Sequence, residues 1–524
     1  MIIKGKIKTG EYFDSVTLMI VGRDISAMPG VQDAAVVMGT KENQAILKSS
    51  GLWLSEFERA GDTDLLLAVK AGSEELALKV MAGIDQQLKN VRNRAEADEE
   101  YRPKSFEAAL KALPGANVAL ISIAGRYAGE EAMKALKAGL HVMLFSDNVP
   151  IEKEVELKEY AREKGLLVMG PDCGTAIING VPLAFANVVS RGDVGIVAAA
   201  GTGLQEISTI ISNEGAGISQ AIGTGGRDVK KDVGGIMFLE GLKALMEDES
   251  TRVIVLVSKP PHESVLKKIG KALKGARQPV VAAFLGAEDK LVEHYGMTPA
   301  ATLEEAALAA AALSKGSGAE AARKALESRD KEIAEAAIKE ASQAGKSQKY
   351  VRGLFSGGTF CTEAQLVFQG LDISDVHSNV PLPPFTPLAD VWKSERHTLI
   401  DLGEDAFTVG RPHPMIDYSL RNRRIQDEAK DPETALILLD VVIGHGSNMD
   451  PVRELAPVIH DARSAAEQAG RRLVFACSVT GTPDDPQDRA KVEEGLKAAG
   501  ALVFKSNAAA SKFAARVAEY LEGE

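Results

Sequence analysis

The chain has few cysteines for its length. Three occur among 524 residues, Cys173, Cys361 and Cys477, and they lie far apart along the sequence. Disulfide frameworks and structural zinc sites need several cysteines at close, regular spacing, so the sequence predicts neither, and we predict no metal site. The same scarcity is typical of a reducing compartment, and we expect a cytoplasmic protein.

Long apolar runs and an excess of positive charge are also missing. No apolar stretch approaches the roughly 18 residues of a membrane helix, and the first residues lack the apolar segment of a signal peptide. Lysine and arginine total 61 against 73 acidic residues, for a formal net charge of -12. A membrane or a nucleic acid is therefore not expected as a partner, and any anion must be bound locally.

Two glycine-rich turns, one in each half of the chain, stand out. An apolar run of strand length, from Val194, breaks at Gly201-Thr-Gly203, and a second run, from Tyr350, breaks at Gly357-Gly-Thr359. Glycine lets a ligand approach the backbone, and the free N–H groups at the start of the following helix attract an anion. The two turns predict two helix starts that converge on one phosphate or acyl phosphate.

Strands alternate with helices along most of the chain, which predicts parallel α/β sheets of the Rossmann-like or flavodoxin-like kind. We divide the chain into five parts, each defined by its pattern. They are a small α/β domain, perhaps ferredoxin-like, at 1–95, a CoA-binding-like Rossmann remnant at 105–172, a ligase-like domain at 173–313, an exposed linker helix at 314–349 and a second ligase-like domain at 350–524.

The two ligase-like halves resemble each other. In each, a strand ends in a glycine turn, a second strand ends in another, and a very apolar strand follows. Ligands of open α/β sheets bind outside the carboxyl ends of the strands, so the site should lie between the two sheets. The residues expected to bind phosphate or acyl phosphate are Gly201, Thr202, Gly203, Gly225, Gly226, Gly357, Gly358, Thr359, Gly444 and Gly446.

Other side chains near these turns have two interpretations each. His445, between two glycines at the end of an apolar strand, would donate to a substrate oxygen or simply occupy a turn. Arg227 and Arg411 would clamp a carboxylate or remain solvated charges. Cys361 follows the second turn, where a helix start would lower its pKa, but packing is the favoured interpretation of so small a side chain.

A set of motifs carries a family resemblance. Gly170-Pro-Asp-Cys-Gly, Gly192-Asp-Val-Gly-Ile-Val, Gly201-Thr, Ile222-Gly-Thr-Gly-Gly and Asp248-Glu-Ser-Thr resemble the α-subunit of succinyl-CoA synthetases. Phe355-Ser-Gly-Gly, Leu399-Ile-Asp-Leu-Gly and Val442-Ile-Gly-His-Gly are similar to the carboxy-terminal domain of their β-subunit. Over about residues 105 to 520, this fused arrangement most closely resembles FdrA-type, acyl-CoA synthetase-like proteins.

The resemblance implies roles for two catalytic residues. In the synthetases a histidine carries phosphate, and a glutamate on the α-type helix orients it. Glu206, five residues after Gly201, matches the glutamate, and His294 in Glu293-His-Tyr-Gly-Met-Thr follows Phe284-Leu-Gly at about the histidine's place. CoA is a further candidate ligand that the resemblance implies.

The chain lacks a segment for an ATP-grasp domain and a Gly-x-x-x-x-Gly-Lys-Ser/Thr loop. Because FdrA-type proteins are linked to oxamate carbamoyltransferase, which converts oxalurate and phosphate to oxamate and carbamoyl phosphate in purine breakdown, we rank a subunit of that enzyme first. The alternatives are a subunit of an ADP-forming acyl-CoA synthetase with ATP-grasp in trans, and a non-catalytic assembly or sensing subunit. Each predicts partner subunits or a homo-oligomer and a small carboxylate or acyl phosphate ligand.

Overall fold

The computed structural model describes residues 2–11, 13, 15–26, 28–97, 103–408 and 411–523. It contains two compact units. The first comprises Met1–Pro114 with Glu404–His413, and the second comprises Gly115–Gly403 with Pro414–Glu524. The predicted α/β fold class, with two large parallel-sheet domains and a small N-terminal domain, is confirmed.

The first unit has a three-stranded antiparallel sheet in the order β1-β3-β2. The central strand is almost entirely buried because helices and loops cover both of its faces. The N-terminal strand, which sequence patterning did not locate, is Ile2–Lys8. The elements are β1 (Ile2–Lys8), α1 (Ser15–Ser26), β2 (Val31–Met38), α2 (Lys41–Ser49), β3 (Leu65–Ala71), α3 (Glu74–Ala97) and α4 (Phe106–Ala112).

The second unit begins with a small parallel sheet in the order β4-β5-β6, followed by an antiparallel pair, β7 and β8, that extends the next sheet. Short strands alternate with helices here, as the sequence predicts. The elements are β4 (Val118–Ile121), α5 (Gly125–Lys137), β5 (His141–Leu144), α6 (Ile151–Glu163), β6 (Val168–Met169), β7 (Thr175–Ile178) and β8 (Val181–Ala184).

The first large sheet has the order β13-β12-β11-β9-β10-β7-β8, and its first five strands are parallel. Strand β11, in the middle of these five, is buried along its whole length, which explains its uninterrupted apolar sequence. The elements are β9 (Arg191–Ala198), α7 (Gly201–Asn213), β10 (Ile218–Gly223), α8 (Ile236–Glu247), β11 (Val253–Ser258), α9 (Glu263–Leu273), β12 (Val280–Phe284), α10 (Asp289–His294), β13 (Thr298–Pro299) and α11 (Leu303–Ser314).

The helix predicted to link the two halves is α12 (Glu320–Ala341). The expectation that it is an exposed linker is wrong for one of its faces. Ile333 and Ala337 are buried in the core, and Lys512 of the last helix forms an ion pair with Asp330 at 2.6 Å. Most of its apolar residues are alanines, which made the buried stripe hard to recognise.

The second large sheet is parallel throughout, in the order β16-β15-β17-β14-β18-β19-β20. The short helix α14 lies in the segment that belongs to the first unit. The elements are β14 (Tyr350–Phe355), α13 (Gly358–Gly370), β15 (Val376–Ser378), β16 (Thr386–Pro387), β17 (His397–Asp401), α14 (Asp405–Thr408), α15 (Ser419–Lys430), β18 (Thr434–Val442), α16 (Pro451–Gln468), β19 (Val474–Thr480), α17 (Arg489–Ala498), β20 (Leu502–Phe504) and α18 (Asn507–Gly523).

One hydrophobic core joins the two large sheets. Leu204 on α7, Phe360 on α13 and Phe513 on α18 are fully buried members of a single cluster that includes side chains from β9, β11, β14 and β18. Burying a side chain of this size contributes about 1.5–3 kcal/mol, so the two halves stabilise each other. Within the described residues, no helix has both the length and the apolar character needed to cross a membrane.

Candidate functional site

The first turns of α7 and α13 lie against each other. A Cβ atom built on Gly203 would lie 3.1 Å from Cγ2 of Thr359, and one built on Gly357 would lie 2.8 Å from Oγ1 of Thr202. Because a Cβ essentially never comes that close, a side chain at Gly357 would force the turns apart. The structure therefore brings together the two helix starts that the sequence predicts to converge.

Two threonine hydroxyls lie at this junction. Thr202 and Thr359, each the second residue of its helix, have 8% and 9% of their surface exposed. Within the part of the chain that the structure describes, neither hydroxyl forms a hydrogen bond. Neither oxygen is completely enclosed, so both hydroxyls are open to a small polar ligand at the edge of the junction.

An internal carboxylate occupies the turn before α13. The oxygens of Asp440 accept hydrogen bonds from Ser356 N and Ser356 Oγ at 2.7 Å each and from Gly357 N at 3.0 Å. Asp440 is itself fully buried and bonded to Arg421, whose Nη1 lies 3.3 Å from Oδ1. The N–H of Gly357 is therefore engaged, which corrects the prediction that it binds phosphate and leaves Gly357 the role of allowing close approach.

In the described part of the chain, no carboxylate accepts hydrogen bonds from the turn before α7 in this way. Val257 of β11 occupies, in the first sheet, the position that Asp440 of β18 occupies in the second. There the backbone N–H of Ala199 donates to the Val257 carbonyl at 2.8 Å. Asp401 lies directly beside Gly358 at the start of α13. The two helix starts are consequently unequal, because Asp440 and Asp401 both lie at the start of α13.

Glu206 lies one turn inside α7 and is almost completely buried. Its two oxygens accept hydrogen bonds from Thr480 Oγ1 at 2.6 Å and from the backbone N–H of Asn507 at 2.9 Å. Burial raises the pKa of this carboxyl, and the two hydrogen bonds oppose that rise. The carboxylate thus caps the start of α18 instead of facing a histidine.

Glu363 occupies the matching place in the second half, five residues after Gly358 as Glu206 is five after Gly201. Its oxygens accept hydrogen bonds from the backbone N–H of Leu303 at 2.8 Å and from Asn507 Nδ2 at 2.8 Å. Burial raises its pKa to about 7. Each half therefore supplies a glutamate that caps the final helix of the other half.

His294 does not join this arrangement. It is exposed at the end of α10, and its ring packs against Tyr295 with centroids 5.0 Å apart. The next strand begins at Thr298, which pairs with Val281 near the start of β12. The chain after His294 has therefore returned toward the amino-terminal ends of the strands, away from the two helix starts. The structure does not bring His294 to Glu206, and the predicted histidine and glutamate are not partners.

The turn after β10 is held next to α7. A Cβ on Gly226 would lie 3.7 Å from the carbonyl of Ala199. The fully buried Lys158 donates to the Thr224 carbonyl at 3.0 Å and to Asp228 at 2.8 Å, which fixes this turn. The structure thus keeps Gly225 and Gly226 beside the first helix start.

Arg227, predicted as a carboxylate clamp, already has internal partners. Its Nη2 lies 2.8 Å from Glu154 Oε2 and donates to the Val149 carbonyl at 2.8 Å. The guanidinium therefore ties α6 to the turn after β10, a contact that spacing along the sequence could not reveal. Arg411 lies in the segment Glu404–His413 of the first unit, and its clamp role stays a prediction.

The turn at Gly444 and Gly446 joins the two sheets. The N–H of Gly444 donates to Gln487 at 3.0 Å, and the N–H of His445 donates to the Ala186 carbonyl at 2.8 Å. These donors are engaged, which corrects the prediction that the Gly444 amide binds phosphate. The ring of His445 is exposed, so its donor role stays a prediction.

Cys361 is fully buried in the first turn of α13, with its thiol 3.7 Å from the Leu399 carbonyl. Burial raises the pKa of this thiol, which outweighs the effect expected of a helix start. The favoured interpretation of a packed cysteine agrees with this environment. No group of three or more potential metal ligands is present among the residues that the structure describes.

Sequence reasoning missed three important side chains. Glu363 could have been found, because it repeats the five-residue spacing of Glu206. Asp440 had a signal too, since it is the one charged residue within the apolar strand β18. Asn507 gave none, because its role depends on where α18 meets the other half.

Three family models match the chain. One described as CoA-ligase matches residues 354–517, one described as CoA binding domain matches 189–286, and one described as AllF, heavy metal-associated domain, matches 1–103. The CoA-binding match includes the α7 turn. The chain therefore contains a CoA-ligase-like domain and a CoA-binding-like domain, together with an N-terminal domain of the heavy-metal-associated type.

A relative matches nearly the whole chain. The uncharacterized protein YahF of Escherichia coli K12 is 40% identical over 511 residues, which cover 97% of each chain. The chain belongs to the YahF family.

More distant matches cover parts of the chain. The α-subunit 1 of the ADP-forming succinate–CoA ligase of Archaeoglobus fulgidus is 28% identical over 33% of this chain, which spans 58% of that subunit. Among solved structures, a dinucleotide-forming acetyl-coenzyme A synthetase 1 of Ca. Korarchaeum cryptofilum in its apo form matches at 16% identity. That match covers 78% of this chain and 83% of the other, with a TM-score of 0.31, too low to carry a structural argument.

Proposed function

We propose that the protein is the acyl-phosphate-handling subunit of an acyl-transferring enzyme, most specifically of an FdrA-type oxamate carbamoyltransferase. The observation that carries the proposal is the junction of the two helix starts, where Gly203 meets Thr359 and Gly357 meets Thr202. Helix N–H groups and two unpaired hydroxyls suit a phosphate oxygen.

The reaction needs little beyond such a junction. An oxygen of inorganic phosphate attacks the carbamoyl carbon of oxalurate, the bond between that carbon and the oxamate nitrogen breaks, and the nitrogen takes a proton. The products of this step are carbamoyl phosphate and oxamate. Holding phosphate and acceptor in the reacting geometry supplies much of the rate acceleration, and donors aimed at the developing negative charge supply more.

A second candidate is a subunit of an ADP-forming acyl-CoA synthetase that works with an ATP-grasp subunit. The CoA-binding match over residues 189–286 favours it. It requires a phosphorylated histidine, and the separation of His294 from Glu206 argues against that step in this arrangement. Acid-labile phosphate on the chain after incubation with ATP and co-purified partners would support this candidate over the first.

The test measures carbamoyl phosphate formed from oxalurate and phosphate by the chain with its co-purified partner subunits. Thr202→Val should lower the rate at least tenfold, because it removes a hydroxyl from the junction and keeps the side-chain shape. Thr209→Val is the matched control, since Thr209 lies farther along the same helix and bonds only the Glu206 carbonyl at 3.0 Å. No product with the wild-type complex would contradict the carbamoyltransferase and favour a sensing or assembly role.

A further inference from the structure

Lys259 stands beside the start of α7. It follows β11, and Val257 of that strand pairs with Ala198 at the end of β9. The side chain of Val257 lies 3.2 Å from a Cβ built on Gly203. Because parallel neighbours end at the same sheet edge, the chain at Lys259 emerges where α7 begins.

The loop after β11, which contains Lys259 and Pro260, also lies near α13. A Cβ built on Gly286 would lie 3.3 Å from Leu366 of α13 and 3.8 Å from Pro260, so the residue after Lys259 is close to that helix. The ammonium of Lys259 is near enough to the Cys361 thiol to oppose the rise in its pKa. Lys259 therefore lies within electrostatic reach of the first turns of both helices.

Lys259 is exposed. Its ammonium forms no hydrogen bond or ion pair with any residue that the structure describes. Two arginines near this edge already have internal partners, since Arg227 contacts Glu154 and Arg421 contacts Asp440. The lysine at this edge and the two threonine hydroxyls of the junction, none with a partner among the described residues, together offer donors to an anion.

The charges around the junction require a cation. Each helix start supplies only about half a positive charge, while Asp440 and Asp401 lie on the α13 side. Arg421 pairs with Asp440, but a phosphate dianion at the start of α13 would still meet Asp401, and the half charges of the two helix starts would not balance the two charges of the phosphate. A full positive charge is needed on the α7 side, where the structure has Lys259.

We propose that Lys259 binds and neutralises the phosphate group held at the start of α7, together with the hydroxyls of Thr202 and Thr359. This inference rests on the proposed function and adds a residue and a direction to it. The phosphate lies toward α7, and α13, with its internal carboxylates, faces the uncharged carbamoyl end. Lysine binds phosphate as a point charge, so arginine should substitute for it in part.

The experiment measures binding of inorganic phosphate by titration calorimetry to the full-length chain at low ionic strength. Lys259→Gln should weaken binding about tenfold, equivalent to about 1.4 kcal/mol, and Lys259→Arg should keep most of the affinity. Lys271→Gln is the matched control. Lys271 is also an exposed lysine, but it lies in the last turn of α9, the helix that follows Lys259. It should bind phosphate like the wild type.

The outcomes separate two failures. Equal binding by Lys259→Gln and the wild type would overturn the role of Lys259 and leave the proposed function standing. Absence of phosphate binding by the wild type would overturn the phosphate site itself. A loss in Lys271→Gln equal to that in Lys259→Gln would show a general charge effect and would also contradict the inference.

Discussion

The carboxylate of Glu363 on α13 accepts a hydrogen bond from the backbone N–H of Leu303 at 2.8 Å, although Leu303 begins α11 in the other half of the second unit. Glu206 makes the corresponding bond to the backbone N–H of Asn507 at 2.9 Å. The exchange satisfies N–H groups that a buried helix start would otherwise leave unpaired. It also fixes the two helix starts relative to each other.

Glu363 predicts a pH dependence of stability. Burial raises its pKa to about 7, whereas the carboxyl has its ordinary value of 4.5 in the unfolded chain. The folded state therefore binds the proton more tightly, so stability should fall as the pH rises from about 4.5 to 7 and then level off. The nearby Glu206, whose pKa is also raised, acts in the same direction.

Glu363→Gln should flatten this part of the pH profile, because an amide does not titrate between pH 4.5 and pH 7. Urea unfolding between pH 5 and pH 8 measures the profile. A profile for Glu363→Gln that parallels the wild type would show that Glu363 titrates normally in the folded chain.

Gly357→Ala should separate the two helix starts. The added Cβ would lie 2.8 Å from Thr202, so the variant should lose about 1–3 kcal/mol of stability and most of its phosphate binding. Thr202→Ala in the same chain should restore part of the stability but not the binding, because the hydroxyl is gone. Thermal unfolding and calorimetry measure the two properties.

Gly370→Ala provides the control for this pair. It lies at the end of the same helix, and nothing lies within 4 Å of its added Cβ. It should leave phosphate binding unchanged and raise stability by at most about 1 kcal/mol, because alanine restricts the unfolded chain more than glycine does. If Gly357→Ala behaved like Gly370→Ala, the close contact between the two turns would be refuted.

Asp440→Asn should loosen the turn before α13. An amide cannot accept all three hydrogen bonds from Ser356 and Gly357, and it leaves the buried Arg421 without its carboxylate. Losing hydrogen bonds to a charged group should cost about 2–3 kcal/mol of unfolding free energy. Ser356→Ala, which removes only the hydroxyl bond, should cost about 1 kcal/mol, and equal costs for the two variants would disprove the central role of Asp440.

Much of the fold could be predicted from the sequence, because parallel strands such as β11 and β18 are buried on both faces and have long apolar sequences. The meeting of the two glycine turns followed from the repeated pattern of strand, turn and helix. The engagement of Gly357, Gly444 and Arg227 by internal partners could not be predicted. Those contacts join residues far apart in sequence, and turns alike in sequence differ in which neighbour fills them.

The position of inorganic phosphate in a crystal of the protein tests the central claim most directly. The account predicts a phosphate ion at the start of α7, within hydrogen-bond distance of the Gly203 amide, the Thr202 and Thr359 hydroxyls and the Lys259 ammonium. A phosphate ion bound elsewhere at saturating concentration, with the junction between Thr202 and Gly357 closed to it, would contradict the account.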